Sequence, residues 1–175
     1  MFDKWMYAFT ILEMVLVLTI VTILCTISFP MFLDYDRQMV VQELEKLDIT
    51  LRYLQQRAMV TQRVQSLTLT LTANSYRYNA THYVMPQCIC CGYLPSVYGP
   101  PGDPTAPITS VATFPSVAPG VYGIKIFPNG KISAGALYMS TINKRRMGAL
   151  TCTVSQVSYL RKYLYESSQW ALLAS

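Results

Sequence analysis

From Met14 to Leu33 no residue carries a charge. At about 1.5 Å per residue such a run rises roughly 30 Å as a helix, the thickness of a bilayer's hydrocarbon core. A cleaved secretory signal has a shorter core, about 7–15 residues, and ends in a small-x-small site. This run ends in no such site, so the pattern predicts a retained, single-pass membrane helix over 9–33. Two residues sit oddly in a plain anchor. Glu13 stands at the start of the apolar run beside Phe9, Ile11 and Leu12, where a carboxylate is expensive unless paired. Pro30 lies inside the run and would kink a helix. Each has a plainer reading: Glu13 as a marker of the interface, Pro30 as a marker of the helix end.

The helical pattern then continues over 34–62. Val40, Leu44, Leu47, Leu51, Leu54 and Ala58 recur at alternating spacings of four and three, an apolar stripe with near-heptad period. Glu43, Glu45, Lys46, Asp48, Arg52 and Arg57 fall off that stripe. Packing on a sheet is the expectation, since the repeat is short for a coiled coil. From residue 63 on the pattern is that of strands. Leu67, Leu69 and Leu71 alternate with Ser66, Thr68, Thr70 and Thr72, and Tyr76–Tyr83 follows after a turn near Asn74. Eight of the ten prolines fall in 86–119, a long irregular insertion. Beyond it, Gly123–Phe127, the turn Pro128-Asn129-Gly130-Lys131 and Ile132–Tyr138 read as strand, turn, strand. Ala149–Val154 and Val157–Leu160 read as a last hairpin. The expected fold is α+β: a long N-terminal helix, half membrane segment and half amphipathic, packed on an antiparallel sheet head spanning 63–175.

Composition narrows the functional classes. Hydrophobic residues make up 52% and charged residues 13%, about half the usual charged share, which excludes a disordered solvating chain. Beyond Met59 nine bases face two acids, Asp103 and Glu166. With so few carboxylates, one His and no nucleophile elbow, P-loop or HExxH, the residues point away from an enzyme and call for no cofactor. His82 reads as a strand or surface histidine. The basic excess either keeps the head soluble or attracts a polyanion. Lys144, Arg145, Arg146, Arg161 and Lys162 are the candidate contacts for DNA, provided that their strands form one layer. Cys25 lies in the apolar run as a small apolar residue. Cys88, Cys90, Cys91 and Cys152 are candidates for a disulfide stapling the insertion to the last strands, with connectivity open. Four thiolates can hold zinc, but C-x-C-C is not a standard ligand spacing, so no metal is expected.

The string Ala8-Phe9-Thr10-Ile11-Leu12-Glu13-Met14 resembles the processing site of type IV pilins and pseudopilins. The resemblance implies that a prepilin peptidase removes a leader, residues 1–8, by cutting between Ala8 and Phe9, and that Phe9 becomes N-methylated. The family's usual residue before the cut is Gly; Ala8 keeps a small side chain. Glu13 is then the fifth mature residue and Pro30 the twenty-second, both in register with the family. It implies a registry role for Glu13, whose carboxylate meets the terminal amine of a neighbouring subunit, because a buried carboxylate requires a cation. Leu54-Gln55-Gln56-Arg57-Ala58, Phe127-Pro128-Asn129-Gly130 and the terminal 151–162 resemble the GspH/FimT type of minor subunit. The resemblance implies a minor pseudopilin of a type II secretion pseudopilus, or alternatively a minor type IV pilin serving pilus assembly or DNA uptake. It implies other (pseudo)pilin subunits and an inner-membrane assembly platform as partners, and a head in the periplasm or outside.

Overall fold

The computed structural model describes residues 10–33, 35–101, 107–152 and 159–173, with no side-chain description over 27–33. The chain divides into two compact units, Met1–Tyr35 and Asp36–Ser175.

The first unit holds α1 (Ile11–Leu33), which runs through Pro30. Its side chains are described over 11–26, which rise about 24 Å at 1.5 Å per residue. Among the described residues no helix is long and apolar enough to cross a membrane. This corrects the expectation of a single-pass inner-membrane anchor with a periplasmic head.

The second unit holds α2 (Tyr35–Thr61) from Asp36 on, and Asp36, in the first turn, is an acid suited to the positive end of a helix. The expected single long N-terminal helix on one sheet is therefore corrected. Among the described residues there are two helices, and the strands form two antiparallel sheets of five strands each. In the first sheet the order is β3 (Thr81–Val84), β2 (Ser75–Tyr78), β1 (Gln65–Thr70), β6 (Val121–Ile126), β5 (Ser116–Ala118). In the second it is β10 (Gln169–Leu173), β9 (Leu160–Glu166), β8 (Met147–Cys152), β7 (Gly135–Thr141), β4 (Ile89–Cys91).

The reason for two sheets lies in α2. Its stripe Val40, Leu44, Leu47, Leu51, Leu54 and Ala58 is fully buried, and Glu43 and Asp48 are buried with it. At about 100° per residue those two carboxylates lie about 140° apart around the helix, one on each flank of the stripe. A face that wide requires cover on two sides. The main core accordingly joins the stripe to Leu67, Leu69, Ile124 and Ile126 of the first sheet and to Leu137, Met139, Leu150 and Leu164 of the second. The crossing between sheets occurs at Phe127–Ala134. Phe127 N–H donates to Lys131 O at 2.8 Å and Gly130, at φ +79°, donates to Phe127 O at 2.9 Å. The strand expected from Ile132 starts only at Gly135 and joins the other sheet, with a single bridge from Ile126 to Ile132 remaining. The strand expected over Tyr76–Tyr83 is a hairpin, β2–β3, broken at Asn79, whose φ is +50°.

The Pro-rich insertion covers the outer face of the second sheet. Val97 and Ile108 pack with Ala136, Tyr138, Met147, Ala149 and Tyr163 in a second apolar cluster, with Tyr93, Leu94, Tyr165 and Trp170 at its border. Trp170 Nε1–H donates to Tyr98 O at 2.8 Å, tying the insertion to β10.

Candidate functional site

The processing residues Ala8 and Phe9 lie outside the described residues. Thr10 and Glu13 lie within them and form a reciprocal cap on α1. Glu13 N–H donates to Thr10 Oγ1 at 3.3 Å, while Thr10 N–H and Thr10 Oγ1–H donate to Glu13 Oε2 at 2.9 and 3.1 Å. This is the capping box, Thr-x-x-Glu, which satisfies two otherwise orphaned groups at a helix start. The spacing was present in the sequence, yet the interface and registry readings of Glu13 passed over it.

Behind this cap α1 is apolar on every side. Ile11, Leu12, Met14, Val15, Leu16, Val17, Leu18, Ile20, Val21, Ile23 and Leu24 are all about half exposed or more. Its three described threonines present no unsatisfied donor. The hydroxyls of Thr19, Thr22 and Thr26 donate to the carbonyls of Leu16, Leu18 and Ile23 at 2.7, 2.7 and 2.8 Å. Such a surface loses little polar solvation when covered and gains about 25 cal/mol per Å² of apolar area removed from water.

The cations assigned to a polyanion contact are not brought together. Arg161 and Lys162 are successive residues of β9 and face opposite ways: Arg161 is exposed and Lys162 is buried. Lys162 Nζ lies 3.6 Å from Asp48 Oδ2 in the core, so it is no surface contact. Lys144, Arg145 and Arg146 form the β7–β8 turn, where Lys144 takes φ +52° and the Arg145 and Arg146 amides donate to Thr141 Oγ1. Arg161 pairs with Thr151, at the other end of β8 from that turn, roughly 17 Å away at 3.4 Å per residue. Arg146 is already engaged, 3.6 Å from Glu166, whose Oε1 also accepts from Arg37 Nε at 2.9 Å.

Cys88, Cys90 and Cys91 are free thiols, so none of them is stapled to Cys152. Cys90 and Cys91 alternate faces along β4. Cys90 Sγ reaches Ser140 O at 3.5 Å, and Cys91 Sγ reaches Met85 Sδ at 4.0 Å. Burial, reinforced by the neighbouring Cys90, pushes the Cys91 thiol up to about 12, which makes it an inert thiol. Cys152 is buried in the core near Ile132 O. His82 is exposed on β3 opposite Arg77. Among the described residues no group of three or more His, Cys, Asp or Glu side chains is placed to hold a metal ion.

Two polar clusters centred on buried carboxylates carry no local signal in the sequence. Glu43 accepts from Lys46 Nζ at 2.7 Å and from the Tyr83 hydroxyl at 3.1 Å, which latches α2 to the first sheet. The hydrogen bond to Glu43, and then that to Tyr83, raise the Lys46 pKa. Asp48 accepts from Arg52 Nε at 3.0 and 3.1 Å and meets Lys162, which latches α2 to the second sheet. Nearby, burial pushes the Tyr76 hydroxyl up to about 12.

Comparison with known proteins returns no matching family model, no matching curated sequence and no matching solved structure.

Proposed function

We propose that this chain is a non-enzymatic minor subunit of a type IV pilin-like filament, a minor pseudopilin of a type II secretion pseudopilus. The observation that carries the reading is α1. It is apolar around its whole circumference, internally satisfied in its hydroxyls, and carries a single described carboxylate, Glu13, in its first turn. A helix of that kind requires cover, and the equivalent helices of neighbouring subunits supply it in a filament core. The resemblance of Ala8–Met14 to a pilin processing site names the same occupant. The five cations expected of a DNA-touching head do not share a face, so the secretion reading is the one put forward.

The test is recovery of the chain with the assembled filament fraction of its native host, followed by intact-mass measurement. The expected species begins at Phe9, carries one methyl group and co-sediments with the major subunit. A chain that never enters the filament fraction, or one there that still begins at Met1, overturns the reading.

A further inference from the structure

A sheet exposes unpaired backbone groups at its edges, and proteins blunt such edges to avoid pairing with other chains. Four edge strands are present among the described residues. Three of them are blunted. The outer side of β4 is bound by one side chain: Asn74 Nδ2–H donates to Ile89 O, and Cys91 N–H donates to Asn74 Oδ1 at 3.0 Å. In β5 the register shifts between Ser116 and Ala118, Ser116 Oγ–H donates to Ala118 O at 3.0 Å, and Pro115 and Pro119 flank the strand. The third, β3, is four residues long and runs into Pro86.

The fourth edge, β10, has none of these devices. Gln169-Trp170-Ala171-Leu172-Leu173 has no charge, no proline and no bulge. The two-residue turn Ser167-Ser168, with φ +49° and +64°, fixes its register on β9. Gln169 closes that turn against Glu166, so Gln169, Ala171 and Leu173 direct their backbone groups toward β9. Trp170 and Leu172 therefore direct theirs outward. Their side chains lie on the outer face, across from Tyr165 and Tyr163, and Leu172 is 63% exposed.

We infer that β10 is a pairing edge for a second copy of this chain, joined antiparallel about a two-fold axis at Ala171. The geometry is self-complementary. In that register Trp170 faces Leu172 of the partner subunit, and the reverse pair forms on the other side of the axis. All four outward N–H and C=O groups on each edge are then satisfied, in two closely spaced pairs. The apolar side chains of the two outer faces meet, and no charge is placed against a like charge because β10 has none. The contact is short, which makes it a weak, concentration-dependent association rather than an obligate dimer. It stands independently of the filament reading.

The test uses the full chain in mild detergent micelles, which cover α1, measured by sedimentation velocity and by oxidative cross-linking. Ala171→Cys places a thiol on the axis, in a non-hydrogen-bonded pair across the new contact, and should form a dimer cross-link well above the wild-type background. Gln169→Cys faces residue 173 rather than itself and should stay at background. Leu172→Pro removes an outward N–H without touching the β9 pairing, and should shift the dimer–monomer midpoint at least tenfold toward monomer. A monomeric wild type at high micromolar concentration, equal cross-linking of the two cysteine variants, or a dimer unaffected by Leu172→Pro overturns the proposal. Circular dichroism of each variant against wild type shows whether the head has kept its fold, and Ala171→Lys, which sets like charges face to face, repeats the dissociation test without proline.

Discussion

Lys162 shows how far a residue's surroundings can depart from its charge. Its ammonium is buried beside Asp48, and both oxygens of Asp48 also accept from Arg52 Nε. Taking away the carboxylate strands a buried cation, whereas taking away the lysine leaves Asp48 its arginine. Asp48→Ala should therefore cost about 3–5 kcal/mol in denaturant unfolding, and Lys162→Met about 1 kcal/mol or less. Equal losses would mean that the three charges do not act as a directed latch. None of this was legible along the chain. A charged residue off an apolar stripe reads as solvent-facing, and only the tertiary placement of β9 and β3 brings Lys162 to Asp48 and Tyr83 to Glu43. Thr10 is the opposite case. Its capping box with Glu13 is a purely local signal and stood in the sequence, masked by the attention an acid beside an apolar run attracts.

Among the elements, α2 was the most legible, because the spacing of Val40 through Ala58 is set by helix geometry and every one of those residues is fully buried. The alternation around Leu67 and Leu69 likewise marks the buried face of β1. The division of strands between two sheets was not legible. Asn-Gly at 129–130 signals a turn, but nothing local distinguishes a hairpin within a sheet from a crossing between sheets. That is decided by where α2 needs cover. Gly148 marks how tight that cover is. A Cβ there would lie 2.5 Å from Leu44 Cδ1 and 2.8 Å from Val40 Cγ1. Gly148→Ala should force α2 off β8 and destabilise the head by about 1–3 kcal/mol in thermal or denaturant unfolding. A neutral or stabilising effect would show that α2 rides more loosely on the second sheet than this packing requires.

For the whole molecule, the contrast between the two units carries the functional reading. The unit Asp36–Ser175 buries its apolar side chains around α2, whereas α1 exposes its own. The apolar run was plain in the sequence, but its reading as a membrane span was not upheld, since no described helix is long and apolar enough to cross a bilayer. Under the proposed function, cover by neighbouring helices would account for the same composition. In the proposed filament Glu13 would have two separable roles: the observed cap on Thr10 within its own helix, and the proposed charge offered to a neighbour's amine. Glutamine preserves the capping box and deletes the charge, while alanine deletes both. The decisive measurement is the amount of Glu13→Gln chain that cross-links to filament subunits, set beside Glu13→Ala and wild type. We expect Glu13→Gln to fall with Glu13→Ala, at least roughly tenfold below wild type, or about 1.4 kcal/mol of assembly free energy. Incorporation of Glu13→Gln at the wild-type level would reduce Glu13 to a helix cap and contradict its role in filament assembly.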